Sequence, residues 1–456
     1  MRRLLAVGIV VAAVLWASPG RPQQEVIDRL QQQLQQLQEQ QQRLQQQLDE
    51  VRRQQETQRQ QQDQLRQKQE EAAKAPLLAG WDRAPFVRTA DDRFRLGITG
   101  RADVNTALFL ADTTQRSQLW IRRFRLGFEG HVYKNIEYTF EIQADARLGS
   151  VTGEVELRYF YVDLMYFKDW GVPRVGQFKM PFSLEQMTGS SSIETVERSI
   201  VTDEIPPGRD LGIGVFGENL FGFFNYGVAV FQGEGDNASE SDGGKDFSTR
   251  IFVRPIKGLH LGGSYRAGVH NASGHRMRLR TPTGFEFFRR DTRGLLESWG
   301  LEGKVEWRGA KLQSEFSRRT DERINVLSTG TANASDVVTE GWYVQLSYML
   351  WGDRTRGGLE PVLKLERVRA DNKDDVSAGF SSSDALRANF PDTRAQIWHL
   401  GLNYWLGRHA RVQLFWLNQQ LHNAQDRNGA FLSTRDNGRT NVTDNVILTR
   451  FTIKFP

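Results

Sequence analysis

The chain has 456 residues, 60 basic against 55 acidic side chains, a formal net charge of +5, 42 glycines and no cysteine. Without cysteine there is no disulfide framework, no thiolate zinc site and no lipidated N-terminal cysteine. The length suits one large domain with an appendage. A mean hydropathy of −0.54 looks soluble, but a β-barrel hides its apolar content by alternation, so the value does not exclude one.

Residues 1–20 read as a secretory signal. Arg2 and Arg3 supply the positive start, Leu4–Trp16 the apolar run, and Ser18 and Gly20 the small residues before a cut. The apolar run is short for a spanning helix. No later stretch is apolar enough to cross a membrane as a helix, so any insertion has to use strands.

Residues 21–75 are dominated by Gln, Arg, Glu and Leu. With Ile27 at heptad position a, Leu34 and Leu48 also fall at a, and Leu30, Leu37, Leu44 and Val51 fall at d. That register predicts an α-helical coiled coil with a seam at Leu30, Leu34, Leu37, Leu44, Leu48 and Val51, loosening where glutamines enter it. Residues 76–92, opening PLLAGWDRAP, break the helix and are expected to act as a linker.

From residue 93 to 456 the chain alternates. In WIRRFRLGFEG, Phe124, Leu126 and Phe128 oppose Arg123, Arg125 and Glu129. IEYTFEIQAD repeats the pattern after a VYKN break, which places Arg125 beside Glu141 in a hairpin. Side chains alternate faces along a strand, and segments of about ten residues suit tilted membrane strands. Short breaks (VYKN, ENLFG, PIKG, GRH) alternate with long polar ones near 234–246, 269–294, 320–338, 370–392 and 422–441. Short turns on one side and long loops on the other mark a bacterial outer-membrane barrel. The fold expected is all-β: a transmembrane antiparallel β-barrel of about sixteen strands, with a lumen wide enough for water, preceded by the helical segment.

The run through VGQFKMPFSLEQMTGSSS, IETVERSIV and IPPGRDLGIGV resembles the phosphate-selective porin O/P family of bacterial outer membranes. The shared pattern is an arginine pair before a Gly-containing strand, then VGQFK-x-PFSLE, ERS and PGR-x-x-G, within residues 93–233. The resemblance implies a homotrimer in outer-membrane lipid and a third outer loop, 181–208, folded into the pore. Pore-lining, anion-binding candidates are the local cations Arg122, Arg123, Arg125, Lys179, Arg198 and Arg209, with the family motif falling at Arg122 or Arg123 and at Arg209, and in the loop Gln186 and the hydroxyls of Thr188, Ser190 and Ser191. The chain departs from the family's phosphate-selective members at two positions. Gln186 stands where their loop carries a lysine, and Tyr159 where they carry a lumen-facing Asp.

The function expected is an outer-membrane porin, not an enzyme, forming a water-filled channel for small anions, phosphate or polyphosphate among them. The signal carries +2 and residues 21–74 balance, leaving about +3, so anion preference has to come from local charge at a constriction. A second reading makes the chain an envelope tether, its coiled coil reaching through the periplasm to the cell wall, with the pore secondary. No cofactor, metal or nucleic-acid partner is expected. The acidic loop EGDNASESDGGKD reads as solvated surface rather than a Ca²⁺ site, and the seven histidines form no HExxH pair.

Overall fold

The computed structural model describes residues 22–74, 77–82, 84–110, 115–145, 155–272, 275–324, 326, 334–371, 392–424 and 441–455. The expected signal segment lies outside them. The chain divides into two compact units, meeting at Pro76 and Leu77.

The first unit is one helix, α1 (Pro22–Lys74). Glutamine, leucine, arginine and glutamate all tolerate helix well, and no Gly or Pro interrupts it. Leu34, Leu37, Leu44, Leu48 and Val51 are each more than half exposed on the single chain. The side chain of Leu30 lies outside the described residues.

The second unit is built from strands. β1 (Leu77–Asp82) and β2 (Ala84–Thr89) form a hairpin where a linker was expected, and Phe86 to Arg88 of β2 pair with the start of β3. The chain continues through β3 (Phe94–Phe109), β4 (Gln118–Val132), β5 (Ile136–Asp145), β6 (Glu156–Leu164), β7 (Val172–Lys179) and β8 (Arg209–Leu220). Next come β9 (Phe224–Phe231), β10 (Asp246–Val253) and β11 (Leu259–His270). β12 (Arg276–Arg280) and β13 (Glu286–Asp291) pair with each other as a separate two-stranded sheet. β14 (Gly294–Trp307), β15 (Ala310–Asp321), β16 (Val337–Tyr348), the short β17 (Trp351–Asp353), β18 (Gly357–Ala370), β19 (Thr393–Trp405), β20 (Ala410–His422) and β21 (Val442–Phe455) complete the chain.

β21 pairs antiparallel with β3 and closes a barrel of 16 strands. Closure leaves no open edge, as a sheet in lipid requires. The final pairing sets Phe455 opposite Gly100, and a Cβ at Gly100 would sit 2.3 Å from the Phe455 ring. A glycine there gives the terminal aromatic room to lie flat on the wall.

The barrel is inverted relative to a soluble protein. Ile121, Phe124, Phe160, Ile213, Leu301, Leu346, Leu400, Leu414 and Ile453 point out and are exposed. Asp103, Gln177, Glu302, Glu315, Gln345, Glu366, His399, Asn403, Gln413 and Arg450 are buried inside. Apolar-out and polar-in alternation is the signature of a wall between lipid and a wet lumen.

Candidate functional site

The segment from Pro181 to Gly208 crosses the lumen, and the barrel wall grips it by its backbone. Ser183, at a φ of 62°, turns the chain into the short helix α2 (Leu184–Met187) and caps Gln186 N at 3.2 Å. Glu315 of β15 completes the cap: its carboxylate accepts from Ser183 Oγ at 2.7 Å, Leu184 N at 2.8 Å and Glu185 N at 2.7 Å. Glu366 of β18 does the same for α3 (Ile200–Asp203), accepting from Ile200 N at 2.7 Å and from Ser199 Oγ. The first N–H groups of a helix have no partner within it, so a carboxylate placed there satisfies donors and dipole together.

Two loop glutamates, Glu185 in α2 and Glu194 between the helices, are held in turn. Glu185 accepts from Lys364 Nζ at 2.7 Å and from Ser199 N at 3.0 Å. Glu194 accepts from Lys311 at 2.9 Å, Arg354 at 2.6 Å and Gln345 at 2.8 Å. Backbone oxygens of the loop take up Arg411 (to Ile193, 2.7 Å), Asn403 and Gln413 (to Glu194, 2.9 and 3.0 Å) and Arg450 (to Val196). A loop anchored on six strands, β15 through β21 without β17, is part of the wall's architecture.

The wall that the loop faces from the other side is cationic, and it falls into two groups. Arg122, Arg123 and Arg450 converge on the Glu197 carboxylate, with Arg122 Nε at 2.9 Å and Arg123 at 2.7 Å. Strict alternation would send neighbouring Arg122 and Arg123 to opposite faces. A bulge at Asp103/Val104 gives β4 one extra residue, so both turn inward. Asp103 accepts from Arg101 at 2.6 Å, Arg123 at 3.3 Å and Thr452 at 2.8 Å.

The second group gathers around Lys179. Lys179, last in β7, opposes Arg209, first in β8, and its ammonium donates to the Gln186 carbonyl. Arg198, Arg209, Arg158 and Arg125 all stand within Coulombic reach of that ammonium. Arg209 donates to Tyr159 Oη at 2.9 Å and stacks 4.5 Å above its ring, while its buried Nε has no hydrogen-bond partner. Arg125 donates to Ser190 Oγ at 3.2 Å, which also accepts from Arg101 at 2.7 Å. Arg198 is spent on backbone, donating to Glu185 O at 3.0 Å and Thr188 O at 2.7 Å.

The expected neighbour of Arg125 is corrected by the register. Arg125 opposes Gln143; Glu141 opposes Gly127 and instead pairs with Arg158 Nε at 2.6 Å. The hairpin closes with Val132 opposite Ile136 across a three-residue turn, which moves the partner of Arg125 two residues along β5 from that expected. Arg158 itself was missed. It sits at a second bulge, at Glu141/Ile142, where alternation fails as a guide.

The hydroxyls of the loop divide. Ser190 and Ser191 accept from the wall, Ser191 from Lys454 at 3.2 Å. Thr188 turns its hydroxyl back onto Leu184 O at 2.8 Å.

A second segment enters the lumen, and sequence reasoning had left it among the long polar breaks. The β12–β13 hairpin buries Met277, Leu279, Phe287 and Phe288 completely. They form one core with Ile200, Val201 and Ile205 of the loop and with Tyr343, Val368, Ile397 and Leu421 of the wall. Arg280 pairs with Glu204 at 2.9 Å, and Thr283 at the tip donates to Gln115 at 2.7 Å and accepts from Gln419 at 3.3 Å. The alternation of RMRLR and FEFFRR around TPTG was the available signal.

The sequence model of the family described as phosphate-selective porin O and P matches residues 94–441. The chain belongs to that family. Porin O of Pseudomonas aeruginosa is 22% identical over 392 residues, covering 75% of this chain and 87% of its own. The fold is shared with an outer membrane protein OmpT of Vibrio cholerae lacking loop L8 (TM-score 0.51, 10% identity, 79% of this chain and 100% of that one). It is shared as well with OmpF of Salmonella typhi in complex with daunomycin (TM-score 0.51, 15% identity, 83% and 100%). The protein is an outer-membrane porin, and both departures from the family pattern bear on its neck. In this porin the Gln186 side chain is buried and donates to Pro207 O at 3.3 Å. Tyr159 serves as acceptor and stacking plate for Arg209.

Proposed function

We propose that this porin passes small anions, with a modest preference over cations, and that Arg125, Arg158, Lys179, Arg198 and Arg209 supply the preference. The observation that carries the reading is the asymmetry of the lumen. The carboxylates Glu185, Glu194, Glu315 and Glu366 are consumed in latching the loop. The Lys179 group gathers five cations against Glu141, held by Arg158, and against Glu185 and Asp203 beside Arg198. Guanidinium forks match the oxygens of phosphate in pairs, so phosphate and polyphosphate fall within the solute class. With Gln186 in place of a lysine, phosphate passes without a tight block. Planar-bilayer recordings test this. A zero-current potential of the sign set by chloride, with phosphate blocking only in the millimolar range, is expected; a cation-selective potential or micromolar block overturns the reading.

A second proposal concerns α1. Its exposed leucines at heptad spacing support a homomeric coiled coil, three-stranded if the porin is a homotrimer, lying in the periplasm. Replacing Leu30, Leu37 and Leu44 by Asp would bury unpaired charge at the seam. Circular dichroism of the purified variant is expected to lose its helical component and keep its β component and trimer mass. Barrel monomers, or an unchanged helical signal, would contradict it. The tether reading rests on the same helix. Deleting residues 22–74 should abolish co-sedimentation with cell wall, and unchanged co-sedimentation would count against it.

A further inference from the structure

On the long-loop side, three ligand-type atoms converge from two loops. Glu234 and Asp242 lie between β9 and β10, and His275 immediately precedes β12. His275 Nε2 is 3.8 Å from Glu234 Oε2 and 3.9 Å from Asp242 Oδ2, and the three residues' ligand atoms all lie within 4.8 Å of one another. Ligand atoms bound at about 2.0–2.2 Å around a tetrahedral ion stand about 3.4 Å apart, so each imidazole–carboxylate separation needs to close by only about half an ångström.

The carboxylates are also pre-oriented. Glu234 Oε1 accepts from Ser241 N at 3.1 Å and Ser241 Oγ at 2.6 Å, which turns Oε2 towards His275. Asp242 accepts from Ala272 N at 2.9 Å, Gly244 N at 2.7 Å and Asn271 N. Such outer contacts are what fix metal ligands in place. A separate observation points the same way. His270 is more than nine-tenths buried, its ring centroid is 4.5 Å from that of His275, and its Nε2 faces Asp246 Oδ1 at 3.1 Å.

We propose that Glu234, Asp242 and His275 bind a divalent transition ion of the zinc type, fastening the root of the lumen hairpin to the loop between β9 and β10. One imidazole with two carboxylates suits Zn²⁺; Ca²⁺ requires six to eight oxygens and gains nothing from imidazole. A fourth position stays open to water. The site is independent of the anion reading, since none of its residues belongs to the Lys179 group.

Isothermal titration of the full-length porin in detergent, stripped with chelator, tests the assignment. Wild type is expected to take up one Zn²⁺ per chain saturably, and His275→Ala to bind at least about 30-fold more weakly. Glu234→Gln and Asp242→Asn should weaken binding too, while His131→Ala, whose ring contacts Asp92 on the β2–β3 turn, should not. Retained β-sheet dichroism keeps loss of fold apart from loss of a ligand. Absence of a saturable Zn²⁺ site, unchanged affinity in His275→Ala, or equal affinity for Ca²⁺ would overturn the assignment.

Discussion

Replacing Glu315 and Glu366 together by alanine is expected to release the loop 181–208 from the wall while leaving the barrel closed. The two carboxylates accept from three and two loop donors respectively, all at helix starts. A lost cap costs about 0.5–2 kcal/mol, and each buried donor left unpaired about 1–3 kcal/mol. Together these exceed what a loop with two single-turn helices can recover by itself. Single-channel conductance should rise about twofold or more as the neck widens, since the neck dominates the resistance. Limited proteolysis of the detergent-solubilised variant should cut within 181–208, where wild type is protected. Unchanged conductance and protection would mean that Glu185, Glu194 and the apolar core around Ile200 hold the loop unaided.

Lys179→Glu should invert the ion preference. A unit charge about 6 Å away through lumen water contributes about 0.7 kcal/mol. Reversing Lys179 therefore disfavours an anion by about 1.4 kcal/mol and favours a cation by as much, up to about a hundredfold in the permeability ratio. Arg209→Glu should act in the same direction, because it stands opposite Lys179 on the adjacent strand. Arg122→Gln should change selectivity far less, since Arg122 is already paired with Glu197. The zero-current potential in a salt gradient reads all three. Equal effects at Arg122 and Lys179 would show that the lumen acts through its total charge.

The barrel was legible because its rule is local. One residue in, one residue out, repeated over strands such as β14 and β20, needs no knowledge of the partner strand. Where the rule is interrupted, the reading failed. The bulges that turn Arg122 inward beside Arg123 and turn Arg158 inward are properties of a pair of strands. The same holds for the Arg125 partner, which a hairpin register decides. The loop 181–208 came from resemblance, but its anchors did not. Glu315 and Glu366 are ordinary inward positions in sequence, and their partners lie more than a hundred residues away. The lumen hairpin hid in a stretch rich in arginine because its apolar residues count only once Ile200 and Val201 are beside them.

The most direct test of the anion pathway is an anomalous-difference map from crystals of the porin soaked in bromide. Bromide is predicted to concentrate beside Lys179 and Arg209, within hydrogen-bonding reach of their nitrogens, and to leave that position in Lys179→Glu crystals. Bromide bound instead at Arg122, Arg123 and Arg450, or nowhere along the lumen wall, would contradict it.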